Sequence, residues 1–136
     1  MLPMPTPPSF DPTLQRGLLL FAHGARDPNW ALPFEAVAAR VRERDATLPL
    51  RLAFLEFMLP GLADAGAELA AAGCRRVDVV PLFLGAGGHV RKDLPLLLER
   101  LRAQHPAVDW RLHPAVGEVA NVVDAMADAA LESLAR

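Results

Sequence analysis

Apolar runs and amphipathic stretches alternate four times along the chain. Short apolar runs fall at Gly17–Ala22, Leu50–Leu55, Arg76–Leu84 and Val108–Leu112. Runs of this length, rich in Val, Leu and Phe, read as buried strands. A helical period fills each interval. The first predicted helix runs from Trp30 to Asp45, capped by Asn29, with Val37, Val41 and the neighbouring alanines as its apolar stripe. A second, alanine-rich helix follows Pro60 at its first position and stops at Gly73. A third, rich in leucine, spans Arg91–Gln104. The last spans Glu118–Leu134, with Val119, Val122, Val123, Met126 and Leu131 on the face expected to point inward. Four strand–helix repeats predict one α/β domain over residues 15–136, a four-stranded parallel sheet with helices on both faces. Residues 1–14, dense in proline, read as a poorly ordered tail.

Right-handed crossovers bring the carboxyl ends of all four strands to one edge of the sheet, where open α/β sheets bind ligands. The polar residues that close the first three runs are therefore informative. They are His23, Glu56 and His89, and 33 residues separate each from the next. One strand plus one returning helix takes roughly 30 residues, so each repeat delivers one of these side chains to the same edge. Any of the three alone reads as an ordinary turn or strand-end residue. Together, two imidazoles and a carboxylate form an N2O donor set suited to cobalt, nickel, iron or zinc. Three protein ligands leave coordination positions open for a reaction. The same groups can also act as acid–base catalysts. His105 falls near the end of a helix, far from the ligand-binding edge; His113 follows the fourth strand and is within reach of the site, but a simple turn role is the plainer reading of it.

Composition narrows the function classes. With 14 basic and 16 acidic residues the formal charge is −2, which gives no electrostatic case for nucleic-acid binding. No apolar stretch reaches the roughly 20 residues that cross a bilayer, and the start of the chain lacks signal-peptide character. The single cysteine, Cys74, forms no internal disulfide and fits a reducing cytoplasm.

The turn Gly85-Ala86-Gly87-Gly88 leads into His89. It is followed by His-Val-Arg, not by the Lys-Ser/Thr of a phosphate-binding loop, so a nucleotide is a poor fit. Gly87 and Gly88 suit the close approach of a large flat ligand to the backbone. Arg26, Arg91 and Lys92 flank the same edge. Each alone reads as a solvated charge paired with Asp27 or Asp93; a ligand rich in carboxylates accounts for all three.

The segments His23-Gly-Ala-Arg-Asp27, Ala53-Phe-Leu-Glu56 and Pro81-Leu-Phe-Leu-Gly-Ala-Gly-Gly-His-Val-Arg-Lys-Asp-Leu-Pro95 resemble the small CbiX-type sirohydrochlorin chelatases. The third segment is the most specific, and the resemblance extends from Leu18 to about Leu134. It implies a lyase that inserts Co2+ in cobalamin synthesis, or Fe2+ in sirohaem synthesis, into sirohydrochlorin. It also implies a homodimer of single lobes, metal contacts at His23 and His89, and an acidic partner at Glu56. The divalent metal (Co2+, Fe2+ or Ni2+) is then a substrate, and no permanent cofactor is expected. Three readings from other classes stand beside this one. One is a metal- or tetrapyrrole-carrying protein with the same site and no turnover. Another is a phosphotransfer enzyme built on His23-Gly-Ala-Arg26. The third is a purely structural interaction domain, against which the clustering of His23, Glu56 and His89 argues.

Overall fold

A computed structural model of the chain describes residues 15–85 and 87–136; of His89 it describes the backbone alone. The expected disordered tail lies outside the described residues. Four strands, β1 (Arg16–Ala22), β2 (Leu50–Phe54), β3 (Arg76–Pro81) and β4 (Asp109–Leu112), form one sheet in the order β2-β1-β3-β4. All three pairings are parallel, with Leu20 opposite Leu52 and Val80, and Val77 opposite Trp110.

Helices α1 (Leu32–Arg44), α2 (Leu62–Ala71) and α3 (Gly88–Gln104) provide the crossovers. Side chains alternate across a strand, so β1 serves two cores. Leu19 and Phe21 pack with Leu62, Ala65 and Leu69 of α2 and Leu94, Leu98 and Leu101 of α3, together with Val77, Val79 and Trp110. Leu20 faces the other way, onto Ala38 of α1 and Leu50. Trp110 is fully buried, and its indole N–H donates to the His105 carbonyl at 3.3 Å. His105 thus closes α3, at the helix end where the sequence pattern places it. Gly73, at φ 93°, lies just past the end of α2 and provides the expected stop.

Several boundaries differ from the pattern-based expectation. Asp27, not Asn29, caps the first helical turn: its carboxylate accepts from the Asn29 N–H at 2.9 Å, and a short 3-10 turn (Pro28–Ala31) precedes α1. Ala38 is the buried residue of α1, while Val37 is 41% exposed. Pro60 is not the first residue of α2, because its carbonyl accepts the Phe54 N–H and extends the sheet; the helix begins after Gly61. β3 stops at Pro81, although Leu82 still donates to Phe21; the next carbonyl, that of Phe83, accepts instead from Gly117 as the chain turns away. α3 starts at Gly88, ahead of Arg91, because extended Gly87 closes the first turn by accepting from the Arg91 N–H.

The largest departure concerns the last helix, α4 (Ala120–Glu132). It buries none of its residues, and its extensive contacts are with the 3-10 turns flanking it, Val116–Glu118 and Ser133–Ala135. The face expected to point inward points to solvent.

One polar group interrupts the sheet. Asp78, in β3, keeps only 13% of its side chain exposed; it meets Arg76 at 3.2 Å, Arg16 at 3.9 Å and His113 Nε2 at 2.7 Å. His113, whose N–H continues β4 by bonding the Val79 carbonyl, is thereby committed to the sheet and not to its ligand-binding edge. Burial on its own raises the Asp78 carboxyl. The hydrogen bonds from His113 and Arg76, with their charges, outweigh it and hold the group below its ordinary value. A carboxyl depressed on folding contributes stability above its unfolded pKa, about 3.9, and loses it as pH falls through the folded value. Asp78→Asn is therefore expected to cost about 1–3 kcal/mol near neutral pH. The gap to wild type should close in denaturant titrations taken progressively below about pH 4. A gap that is constant with pH would mean that the ionised form is not what the network holds.

Candidate functional site at the carboxyl edge of the sheet

The parallel ladder continues past the ends of β1 and β2. The Leu55 N–H donates to the Ala22 carbonyl at 2.9 Å, and the Glu56 N–H to the His23 carbonyl at 3.2 Å. These bonds hold His23 and Glu56 side by side on the same edge, with His23 Nδ1 3.7 Å from Glu56 Oε1. Both side chains are about half exposed, at 55% and 49%. That distance is beyond a direct hydrogen bond. It suits two groups that hold a larger third atom between them, such as a metal ion bonded to both.

Two backbone features keep the pair in place. Gly24, at φ 87°, lies against the Glu56 backbone, and a Cβ there would fall on the Glu56 carbonyl oxygen. Phe57, next after Glu56, adopts φ 65° with its ring 58% exposed. A bulky residue in this left-handed region is uncommon and costs about 1–3 kcal/mol. The Arg26 guanidinium lies 5.1 Å from the centre of that ring. Arg26 is thus parked on an aromatic face beside Glu56 and not on Asp27, whose carboxylate caps the adjoining turn.

His23 also forms one wall of an open cavity of about 660 Å³, with Gly24, Trp30, Phe34, Leu82, Phe83, Leu84, Gly85, Gly87 and Val90. Its ring meets Phe83 edge-on at 6.0 Å between centres. This volume and mostly apolar lining are typical of small-molecule sites. Trp30 (63% exposed) and Leu84 (72% exposed) leave large apolar surfaces facing outward at this rim. Among the described residues no side chain caps the N-terminus of α3, which opens at the same edge. A Cβ at Gly85, Gly87 or Gly88 would meet nothing, so these glycines leave free space above the backbone, as a flat ligand requires.

The backbone of His89 sits in the first turn of α3, between the cavity-lining Gly87 and Val90; its side chain lies outside the described residues. Among the described residues no three His, Cys, Asp or Glu side chains gather into a metal cluster. Arg91 meets Glu118 at 3.4 Å, a partner that the sequence pattern did not suggest, and Lys92 is exposed on the next helical position. Cys74 is buried and takes no part; burial raises its thiol pKa, against a smaller opposing effect of Arg51. No helix of the described residues is long and apolar enough to cross a membrane.

The fold and site together define a single-lobed α/β protein that presents a His–Glu pair beside an open apolar cavity at the carboxyl edge of a parallel sheet. Comparison with known proteins places it further. The CbiX family profile matches residues 17–133, and the chain belongs to that family. A CbiX protein of known structure from Marinobacter aquaeolei VT8 shares 35% sequence identity and a TM-score of 0.80, over 89% of this chain and 98% of that one. The sirohydrochlorin cobaltochelatase of Methanothermobacter thermautotrophicus is 34% identical over 82 residues, 60% of this chain and 57% of that protein. The match therefore spans little more than half the length of that relative. SirB from Bacillus subtilis, whose structure contains Fe3+, shares the fold at a TM-score of 0.71 and 22% identity; this chain covers 44% of it.

Proposed function

We propose that the protein inserts a divalent metal, Co2+ or Fe2+, with Ni2+ as a further candidate, into sirohydrochlorin, and that it does so as a cytoplasmic homodimer. The observation that carries this reading is the His23–Glu56 pair, 3.7 Å apart, on the wall of a 660 Å³ apolar cavity. Membership of the CbiX family and the cobaltochelatase name of a relative support it.

The chemistry follows from the reaction. Two pyrrolic N–H protons leave the macrocycle as the metal forms bonds to the four ring nitrogens. The protein must present the metal to one face of the ring and accept protons close by. His23 and Glu56 can share both tasks, and His89, one residue into α3 from Gly88, is the third member of the set. An imidazole nitrogen that holds metal cannot accept a proton, so the roles divide among the three. The apolar rim of Trp30, Phe34 and Leu84 gives the macrocycle a face to lie on, and Gly87 and Gly88 let it approach the backbone. Arg26, Arg91, Lys92 and the uncapped start of α3 are positive features suited to peripheral carboxylates.

The deciding experiment is anaerobic insertion assayed with Co2+, Fe2+ and Ni2+. Product formed faster than the uncatalysed rate supports an enzyme; stoichiometric binding without turnover supports the carrier. A second measurement tests the cations. Arg91→Gln combined with Lys92→Gln should raise KM for sirohydrochlorin about three- to tenfold at low salt, on the basis of about 0–1 kcal/mol per exposed charge. The difference should fade at high salt, and Co2+ titration without tetrapyrrole should be unchanged. An unaltered KM at every salt concentration would return both residues to the role of solvated helix charges.

A further inference from the structure

Phe57 carries two costs that the core does not offset. Its backbone is left-handed, at φ 65°, and its ring is exposed. Among the described residues it joins none of the three buried clusters, although its neighbours do. Phe54 and Met58 pack with Ala22 and Ala31, and Leu55 packs against the cluster under α2 and α3. The Phe57 ring lies instead against the Arg26 guanidinium, 5.1 Å away. Backbone strain of this kind collects at functional sites. Arg26 is as informative as the ring. Asp27 follows it in sequence and Glu56 precedes Phe57, yet among the described residues Arg26 forms no ion pair. The Asp27 carboxylate accepts from the Asn29 N–H, and that of Glu56 faces His23.

We propose that Phe57 is a positioning residue: its left-handed backbone turns the ring to Arg26, and the ring holds that guanidinium ready for a peripheral carboxylate of the tetrapyrrole. The proposal rests on the sirohydrochlorin reading above. Two physical features support it. A cation over a ring is attracted by the ring's face, which leaves the five N–H donors of the guanidinium for an acceptor. A planar fork that is already held also loses less freedom when a carboxylate arrives.

The choice of an aromatic partner matters. An acidic side chain in place of the ring would hold Arg26 as firmly but cancel its charge; a ring holds the cation and leaves the charge in force. Arg91 shows the contrast. It is paired with Glu118 at 3.4 Å, so an incoming carboxylate there competes with one already present. Chain connectivity ties Arg26 and Phe57 to the His23–Glu56 pair. Arg26 is three residues after His23, and Phe57 follows Glu56 directly. The Glu56 N–H to His23 carbonyl bond joins the two segments. A carboxylate engaged by Arg26 therefore fixes where the macrocycle lies relative to that pair.

Titration of metal-free sirohydrochlorin into the full chain at low salt tests this. Phe57→Gly should raise Kd about two- to tenfold, the effect of having to order one long side chain on binding. Its midpoint in denaturant should be at least that of wild type, because glycine adopts the left-handed φ freely and the lost ring is exposed. Phe57→Tyr, which keeps a ring, should bind like wild type. In an Arg26→Gln background Phe57→Gly should change Kd no further, since the ring then has no cation to hold. Co2+ titration without tetrapyrrole should match wild type throughout, because main-chain bonds place His23 and Glu56. If Phe57→Gly loses its cooperative transition, Phe57→Asn, which also tolerates this φ, replaces it under the same criteria. An unchanged Kd in Phe57→Gly overturns the proposal. So does an equal further loss in the Arg26→Gln background, which would make the ring a direct contact of the macrocycle. Weakened Co2+ binding in Phe57→Gly overturns it too, by tying the residue to Glu56 instead. Binding is read here without turnover. A wild type that binds sirohydrochlorin but inserts no metal ends the enzyme reading and leaves this one standing; a wild type that does not bind it ends both.

Discussion

Replacing His23 by Ala is expected to lower the rate of metal insertion into sirohydrochlorin by about 10²–10⁴-fold, the range for loss of a positioned acid–base group. The fold should survive. The His23 side chain is 55% exposed, and the bonds that place it, Leu55 N–H to Ala22 and Glu56 N–H to the His23 carbonyl, are main-chain. His89→Ala should show a loss of similar size, because its backbone lies in the exposed first turn of α3 on the same edge. Glu56→Ala should cost less, since a carboxylate that completes coordination can be replaced in part by water. Co2+ titration without tetrapyrrole divides the roles. A variant that binds metal normally but turns over slowly has lost a proton acceptor; one that fails to bind has lost a ligand. Unchanged turnover by folded His23→Ala would remove this edge from the mechanism.

The pair can form because strand ends in a parallel sheet are aligned by the ladder itself. That alignment was legible in the sequence. The 33-residue spacing of His23, Glu56 and His89 gave the topology and the edge, and the structure brings the first two together while placing the third residue's backbone beside the same cavity. Spacing counts repeats, and repeats are what crossovers build. It carries no information on what faces what. The apolar face of α4 reads the same from sequence whether it meets its own sheet or another molecule, and the inward orientation expected of it proved wrong. Trp30 failed to announce itself for a similar reason: within a predicted helix start, an aromatic residue is more often core than cavity wall. Phe57 gives no sequence signal at all, because only its positive φ sets it apart. Asp78 did leave a trace. A carboxylate between Val77 and Val79 in a buried strand needs partners, and Arg76 and His113 are those partners.

Gly24→Ala should destabilise the protein by about 2–5 kcal/mol and depress turnover with it. Two costs combine at this position. An L side chain at φ 87° pays about 1–2 kcal/mol for the left-handed region. Its Cβ would also fall on the Glu56 carbonyl oxygen, which forces the end of β2 away from β1 at a further cost of about 1–3 kcal/mol. Gly73 separates the two terms. It has nearly the same conformation, φ 93°, but a Cβ there meets nothing. Gly73→Ala should therefore lose only the conformational part, about 1–2 kcal/mol, and keep full activity. Gly85→Ala, with neither constraint, should unfold like wild type. Denaturant titrations of the three variants should rank Gly24 well above Gly73, and Gly73 above Gly85. The insertion assay should single out Gly24, because moving the Glu56 backbone opens the 3.7 Å gap to His23. Equal costs at Gly24 and Gly73 would show that the close packing of Gly24 on Glu56 does not hold the site together.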